Sequence, residues 1–340
     1  MADSWVVVGL DNGGNKNNAT VLDASGRFLV DELLESPSRV TEGPDVAVEA
    51  LVLTFEDVLR RTKIERERVR AVGLDTPGPA SAEGVISSKG STNFSHPGWR
   101  SYDFRGALEK RLGLPVVYNN DGNAAALYAH YQLFGPLAPQ RGSISAIIGT
   151  GFGGGVIEKG HVVKGAAGMA GELGHVHIPT YGLLEPDQPM PHCNCGFDGD
   201  AESFASLTGI EKNLLPYWLT RYPGHELARA ESVAQAAKLV RAYGENGDEM
   251  ALKIFEQQAK AIGRLFTIAA NFTDPDAYFL GGGVVEAAPR FRDWYLAKVR
   301  ETTALREEQA RASRFEMVPH LDMAGARGAA IAALKRIHAR

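Results

Sequence analysis

Val6-Val-Val-Gly-Leu-Asp-Asn-Gly-Gly-Asn-Lys16 and Ser143-Ile-Ser-Ala-Ile-Ile-Gly-Thr-Gly-Phe-Gly-Gly-Gly155 follow one plan. Each is a run of β-formers that ends in more glycine than a turn needs. Trp5 to Leu10 reads as a buried strand, Ala19 to Asp23 as a second, and Phe28 to Leu33, after the turn Ala24–Arg27, as a third. In the second block Ser143 to Ile148 reads as a strand. Val156–Glu158 and His161–Val163 then read as a hairpin about Lys159-Gly160. Both blocks run strand, glycine turn, strand, turn, strand, and both feed helices. The expected fold is therefore a duplicated α/β fold of two lobes with a central cleft.

Between the blocks the spacing predicts a helix over 44–63, a strand over 69–74, a helix over 104–112, a strand over 116–118 and a helix over 122–134. Farther on it predicts helices over 232–245, 247–272 and 289–311, with a strand-and-glycine unit from Ala277 to Val285. The Pro-rich stretch 180–191 reads as a surface excursion. The small residues Ala324–Ala330 read as close helix packing. Domain boundaries are expected at 1–122, with a C-terminal helix 320–340 packing back on it, and 123–319.

Composition narrows the function classes. The chain has 340 residues, 44% of them hydrophobic and 23% charged, with a formal net charge of -5. No basic footprint for nucleic acid or an anionic membrane is present. No apolar run reaches the ~18 residues of a membrane helix. Two cysteines, one residue apart, make no disulfide framework and fit a reducing compartment. With no segment that reads as a signal peptide, the expected location is the cytoplasm.

The glycine turns point to phosphate. Gly13-Gly14 lets backbone N–H groups approach an anion without Cβ obstruction, while Lys16 offers charge and Asn12 and Asn15 neutral donors. Thr150-Gly151 and Gly153-Gly154-Gly155 repeat the arrangement. Asn119-Asn120-Asp121-Gly122-Asn123 lies where a strand meets a helix, and ligands of open α/β sheets bind at such strand ends. One Asn or Asp suffices for a helix cap. Asp121 is thus the candidate general base, taking a proton from a substrate hydroxyl that attacks phosphorus. Pro77-Gly78-Pro79, Asn93, Glu172, His175 and Glu202 suit a polyol, whose hydroxyls both donate and accept. Trp99 reads as a core aromatic. Gly281-Gly282-Gly283 could pass beneath a nucleotide base.

Gly171-Glu-Leu-Gly-His175 and His192-Cys-Asn-Cys-Gly196 gather both thiols between histidines and carboxylates. Zinc favours such ligands in a closed tetrahedron. Cys193, Cys195 and His175 could supply three, with Asp200, His192 or water as the fourth.

Taken together, these motifs resemble the ROK family (repressor, open reading frame, kinase), bacterial sugar kinases of the actin-like ATPase (ribonuclease H-like) fold. The carriers are Asp11–Lys16, Pro77–Pro79, Asn120–Ala126, Gly149–Gly155, Gly171–His175, the Cys193-x-Cys195 loop and Gly281–Gly283, so the resemblance spans nearly the whole chain. It implies Asp121 as catalytic base, and Gly78, Asn93, Asn120, Asp121, Gly151, Glu172, His175 and Glu202 as sugar ligands. It implies ATP with Mg²⁺ at Asp11, Gly13, Gly14, Asn15, Lys16, Thr150, Gly151, Gly153, Gly282 and Gly283. It also implies a structural Zn²⁺ in the loop 175–202, on His175, Cys193 and Cys195, with Asp200 where the family has a third cysteine. Asn15 stands for the usual Thr, Tyr128-Ala129-His130 replaces a Gly-Glu, and the insertion before Cys193 is long.

The expected activity is phosphorylation of glucose or a close relative, at O6, with a homodimer as the expected assembly. The alternatives are a kinase for an N-acetylhexosamine, aminosugar or cyclitol, or a catalytically silent sugar-binding member of the family. Polyphosphate is an alternative donor. A repressor of the same family carries a DNA-binding domain before the first phosphate loop, and only ten residues precede Asp11 here.

Overall fold

A computed structural model describes residues 5–89 and 93–339. Met1–Ser4, expected to lead into the first strand, lie outside the described residues. In chain order the first elements are β1 (Val6–Asn12), β2 (Lys16–Asp23), β3 (Leu34–Pro37), α1 (Pro44–Thr62), β4 (Val69–Thr76), α2 (Phe104–Leu112), β5 (Val116–Asn120) and α3 (Asp121–Phe134). Next come β6 (Ser143–Ile148), β7 (Phe152–Glu158), β8 (His161–Val162), α4 (Ala201–Ala205), α5 (Leu207–Gly209) and α6 (Leu215–Arg221). The chain closes with α7 (Val233–Glu245), α8 (Glu249–Thr273), β9 (Ala277–Gly282), α9 (Pro289–Thr302), α10 (Glu307–Ala312), β10 (Arg314–Met317) and α11 (Leu321–His338). No helix among the described residues is long and apolar enough to cross a membrane.

The two sheets repeat one topology. The first has order β3-β2-β1-β4-β5, and the second, read from its β8 edge, has order β8-β7-β6-β9-β10. In each, the opening strand pairs in parallel with the strand three places later in that half (β1 with β4, β6 with β9). The duplication expected from the two glycine turns is therefore present strand for strand.

Two compact units divide the chain: Met1–Pro139, Gly155–Gly171 and Pro319–Arg340 form one, and Gln140–Gly154 with Glu172–Val318 the other. In the first unit α11 packs on β1, β2 and β4 and along α3. The approach is so close that a Cβ on Gly9 would meet the Ala326 carbonyl at 1.9 Å, and one on Gly73 the Ala329 carbonyl at the same distance. Glycine at both positions is what lets a helix of small residues lie on the sheet. The core of this unit joins α1, α2 and the sheet through Phe55, Phe104 and Trp99. Trp99 is fully buried, and its indole N–H donates to the Val40 carbonyl at 2.8 Å.

Two expectations are corrected. The third strand is Leu34–Pro37, not 28–33. Phe28 only bridges Leu22, and its ring packs at 4.8 Å beneath the Arg327 guanidinium and edge-on to Tyr128. Phe28 thus covers α3 and α11, while the Leu29 N–H donates to the Val21 carbonyl of β2 at 2.8 Å and Val30 is buried in the core of this unit. The helix predicted over 289–311 breaks after Thr302 and resumes at Glu307. The Thr302 and Thr303 hydroxyls bond to carbonyls of their own helix, and the Ala304 N–H turns away to Thr267 Oγ1 at 2.8 Å. Such local bonds compete with helix continuation.

Candidate active site

In the first unit the site begins as a row of polar residues across three parallel strands. Asp11 of β1 is register partner to Asp75 of β4, which is partner to Asn119 of β5. Aligned residues of parallel neighbours share a face, so the three side chains stand side by side near the strand ends. Asp75 is 0% exposed, and neither carboxyl oxygen has a hydrogen-bond partner. Burial pushes its carboxyl well above the usual range, and the charges of Asp11 and Asp121 push it further. Burial also raises Asp11, to about 6, against a 3.1 Å hydrogen bond from the Asn18 amide.

The turn from β1 to β2 closes where the Gly13 N–H donates to the Lys16 carbonyl at 2.8 Å. Asn93 lies against this turn, since a Cβ on Gly14 would fall 2.5 Å from Asn93 Oδ1. Asn15 is exposed, and its carbonyl accepts the Ser38 N–H. Lys16, expected to offer its charge to phosphate, is ion-paired with Glu35 of β3. Gly78 has open space beside it, with the nearest neighbour of a Cβ being the Ala80 nitrogen at 3.9 Å.

At the start of α3 the polar residues divide their work. Asn120 is the cap, its Oδ1 accepting the Asn123 N–H at 2.8 Å. Asp121 is the first helical residue, is exposed, and accepts the Gly122 N–H at 2.7 Å. Behind them the Lys164 ammonium donates to the Tyr118 carbonyl at 2.6 Å, and burial lowers its pKa.

The second unit carries the other glycine turn. Gly149 N–H donates to the Gly151 carbonyl at 2.9 Å, while Leu207 and Thr208, at the start of α5, donate to the Gly149 and Thr150 carbonyls. Gly153 continues the turn inside β7. Glu202, expected to meet sugar, has both oxygens engaged: Oε2 accepts the Phe152 N–H at 2.7 Å, and Oε1 lies 3.4 Å from the Cys193 thiol. A Cβ on Gly151 would fall 3.0 Å from Glu202 Oε2, so turn and carboxylate are in contact. Glu172 is half-buried, and its carboxyl is raised by that burial against the nearby His175.

His175, Cys193, Cys195 and Asp200 come together with all four ligand atoms within 4.8 Å of one another. A zinc ion with bonds of about 2.0–2.3 Å in a tetrahedron sets its ligands about 3.3–3.8 Å apart. Here Asp200 Oδ2 lies 3.2 Å from His175 Nδ1 and 3.5 Å from Cys195 Sγ, and Cys193 Sγ lies 3.9 Å from His175 Nδ1. The donor set and spacing fit the ion. His192 pairs instead with Asp198, at 2.7 Å. Asp200 is divided as Asn120 is: Oδ1 caps α4 through the Ser203 N–H at 2.9 Å, and Oδ2 faces the cluster. The hydrogen bond to Asp200 lifts the His175 imidazole to about 9, against the cost of burial. Burial pushes the Cys193 thiol up.

The second unit also contains a cavity of about 310 Å³, near the lower end of ligand pockets. Gly149, Thr150 and Gly283 line it, as the sequence led us to expect of nucleotide-binding positions. Gly282 stands behind, with φ +93 and no room for a Cβ against the Ile148 carbonyl. The rest of the lining was not foreseen: Lys238 and Arg241 of α7, Phe255 and Gln258 of α8, and Tyr295 of α9. They come from three helices, and no motif in sequence marks them. The one local signal was the Lys238–Arg241 spacing, which sets both cations on one helix face.

A model of the ROK family matches residues 7–336. A ROK hexokinase from Thermus thermophilus, known from its crystal structure, is 30% identical with a TM-score of 0.76, over 98% of this chain and 100% of that one. A ROK glucokinase from Streptomyces griseus, crystallised with glucose and AMPPNP, is 25% identical with a TM-score of 0.69, over 97% and 99% of the two chains. The glucokinase of Halalkalibacterium halodurans is 29% identical over 290 residues, covering 84% of this chain and 82% of its own length.

Proposed function

This chain belongs to the ROK family and has the duplicated actin-like ATPase fold of that family, and on that premise we propose that it is an ATP-dependent hexose kinase. Its acceptor is glucose or a close relative, phosphorylated at O6. The observation that carries this reading is the division of labour at the start of α3. Asn120 already caps the helix, so capping does not account for the carboxylate of Asp121 at the strand end.

In the proposed reaction the O6 proton passes to Asp121 as O6 attacks the γ-phosphorus and the bond to the β,γ-bridging oxygen breaks, releasing ADP. Its place at the start of α3 suits Asp121 to orient the hydroxyl and receive its proton. Bound Mg²⁺ would neutralise phosphate charge, and the carboxylate of Asp11 is an oxygen donor suited to it. Backbone N–H groups of the turns at 11–16 and 149–155 would meet the phosphates, with Gly282 and Gly283 and the 310 Å³ cavity taking the nucleoside. Gly78, Asn93 and Asn120, and from the second unit Gly151, Glu172, His175 and Glu202, are the proposed hydroxyl ligands. With Asn120 Oδ1 spent on its cap, its Nδ2 is the group left for sugar.

His175, Cys193, Cys195 and Asp200 are proposed to hold a structural Zn²⁺. With His175 Nδ1 turned into that cluster, Nε2 is the ring atom left for a hydroxyl. Two unbridged thiols support a cytoplasmic setting. The family resemblance supports a homodimer, which sedimentation of the purified protein would read. The deciding experiment is a coupled assay of ADP release over a sugar panel (glucose, mannose, N-acetylhexosamines) with ATP or polyphosphate. Glucose or a close relative with ATP is the expected pair. A panel with no sugar-dependent ADP release overturns the kinase reading.

A further inference from the structure

The mechanism leaves one buried group without a task. Asp75 is 0% exposed, both its oxygens lack hydrogen-bond partners, and it stands in register between Asp11 and Asn119. A buried carboxyl normally finds a partner, because stripping it of water without one costs several kcal/mol. Asn119 beside it is 3% exposed, and its Nδ2 is likewise unpartnered. The row is thus under-satisfied along its length, which an acidic cluster on a solvated surface would not be.

The space in front of the row is kept open by a glycine. A Cβ on Gly325 of α11 would fall 2.8 Å from Asp75 Oδ2 and 3.1 Å from Asp11 Oδ2. Both carboxylates therefore face the same place on α11, where glycine leaves no side chain between them and the helix. Asp11 is only half-buried, which gives that point a way to solvent. The turn Gly13-Gly14 follows directly in the chain.

We propose that Asp11 and Asp75 form a divalent-cation site that fills before nucleotide arrives, taking a small hard ion of the Mg²⁺ or Mn²⁺ class. The donors are carboxylate oxygens, the set that favours Mg²⁺ and Mn²⁺ over softer metals. Mg²⁺ in particular takes one or two carboxylates and keeps several waters. Here those waters would occupy the cradle beside Gly325 and bond the amide of Asn119. Asp75 is the residue that makes the difference. One half-exposed carboxylate holds Mg²⁺ weakly, and a second, buried and unpaired, adds a charge that only a cation satisfies. The proposal extends the kinase reading, since the ion would already stand beside the first glycine turn when phosphates bind.

The test uses the full chain, loaded with zinc to occupy the cysteine cluster, and free of sugar and nucleotide. Mn²⁺ is titrated by electron paramagnetic resonance, with Mg²⁺ as competitor, and thermal melts are recorded with and without Mg²⁺. The expected result is about one Mn²⁺ per chain, displaced by Mg²⁺, and a melting temperature raised by Mg²⁺. Asp75→Asn should weaken Mn²⁺ binding at least ~10-fold and abolish the Mg²⁺-induced rise. Its metal-free melting temperature should equal or exceed that of the wild type, which a folding defect would not give. Gly325→Ala keeps both carboxylates but puts a methyl group in the cradle, and should also weaken Mn²⁺ binding. A wild-type chain that takes no Mn²⁺ without nucleotide overturns the proposal. So does a Gly325→Ala or a folded Asp75→Asn variant that titrates like wild type. Sugar-dependent ADP release is read separately, so the kinase reading stands or falls on its own.

Discussion

The two clusters of acidic residues in this molecule are built on opposite principles. Around Cys193 and Cys195 every ligand-type side chain already has a partner: Asp200 faces His175 and Cys195, and Glu202 meets Cys193 and the Phe152 N–H. Across β1 and β4 the deepest carboxyl, Asp75, has none. A cluster that satisfies itself holds a loop in shape, and a metal added to it tightens what is already there. A cluster left unsatisfied stores a need for a ligand, and burying it carries a cost until that ligand comes. The first unit therefore reads as chemistry and the second-unit cluster as scaffold.

Substitutions should separate the two roles. The largest effect belongs to Asp121→Asn, which should lower kcat by roughly 10²–10⁴-fold, as loss of a general base does. Sugar binding by calorimetry and the thermal melt should stay near wild type; near-normal turnover would remove Asp121 from the chemistry.

Asp200→Ala comes next and acts on the scaffold. It removes a helix cap worth about 0.5–2 kcal/mol and a proposed zinc ligand together. Purified protein should carry one zinc per chain by mass spectrometry, the variant none, and urea melts should show the lost stability. Asp200→Asn keeps an oxygen for the Ser203 N–H and should lose zinc affinity with less stability. If both variants retain zinc, Asp200 is not its ligand; if the wild type carries none, the cluster is held by hydrogen bonds alone.

The smallest effect has the opposite sign. Asp75→Asn should stabilise the metal-free chain at neutral pH, because the amide removes a charge that burial and the neighbouring Asp11 and Asp121 disfavour. Urea melts in chelator measure it, and a loss of stability there would erase the contrast between the clusters.

What the sequence disclosed and what it hid follow from the same physics. Glycine turns, strand ends and a Cys-x-Cys pair need particular residues at particular places, so Asp11–Lys16, Gly149–Gly155, Asp121 and Cys193–Cys195 were legible without coordinates. Periodicity reports burial but not the partner. Phe28 is buried against α3 and α11 rather than by strand pairing, a difference that the apolar pattern does not carry. The second-unit cavity was hidden because its lining is assembled from Lys238, Arg241, Phe255, Gln258 and Tyr295, each an ordinary residue on a helix. Asp75 falls just past the strand predicted over 69–74 and belongs to no motif. Only register with Asp11 and the close approach of Gly325 to both carboxylates give it meaning.

The C-terminal helix has a consequence for how this protein is made. Translation delivers the second unit complete once Val318 has emerged, whereas the first still lacks α11, which covers β1, β2, β4 and α3. The half of the molecule synthesised first is the half finished last. Until Leu321–His338 is available, that face of its sheet lacks the helix that covers most of it, and transiently exposed apolar surface of this kind is prone to aggregate.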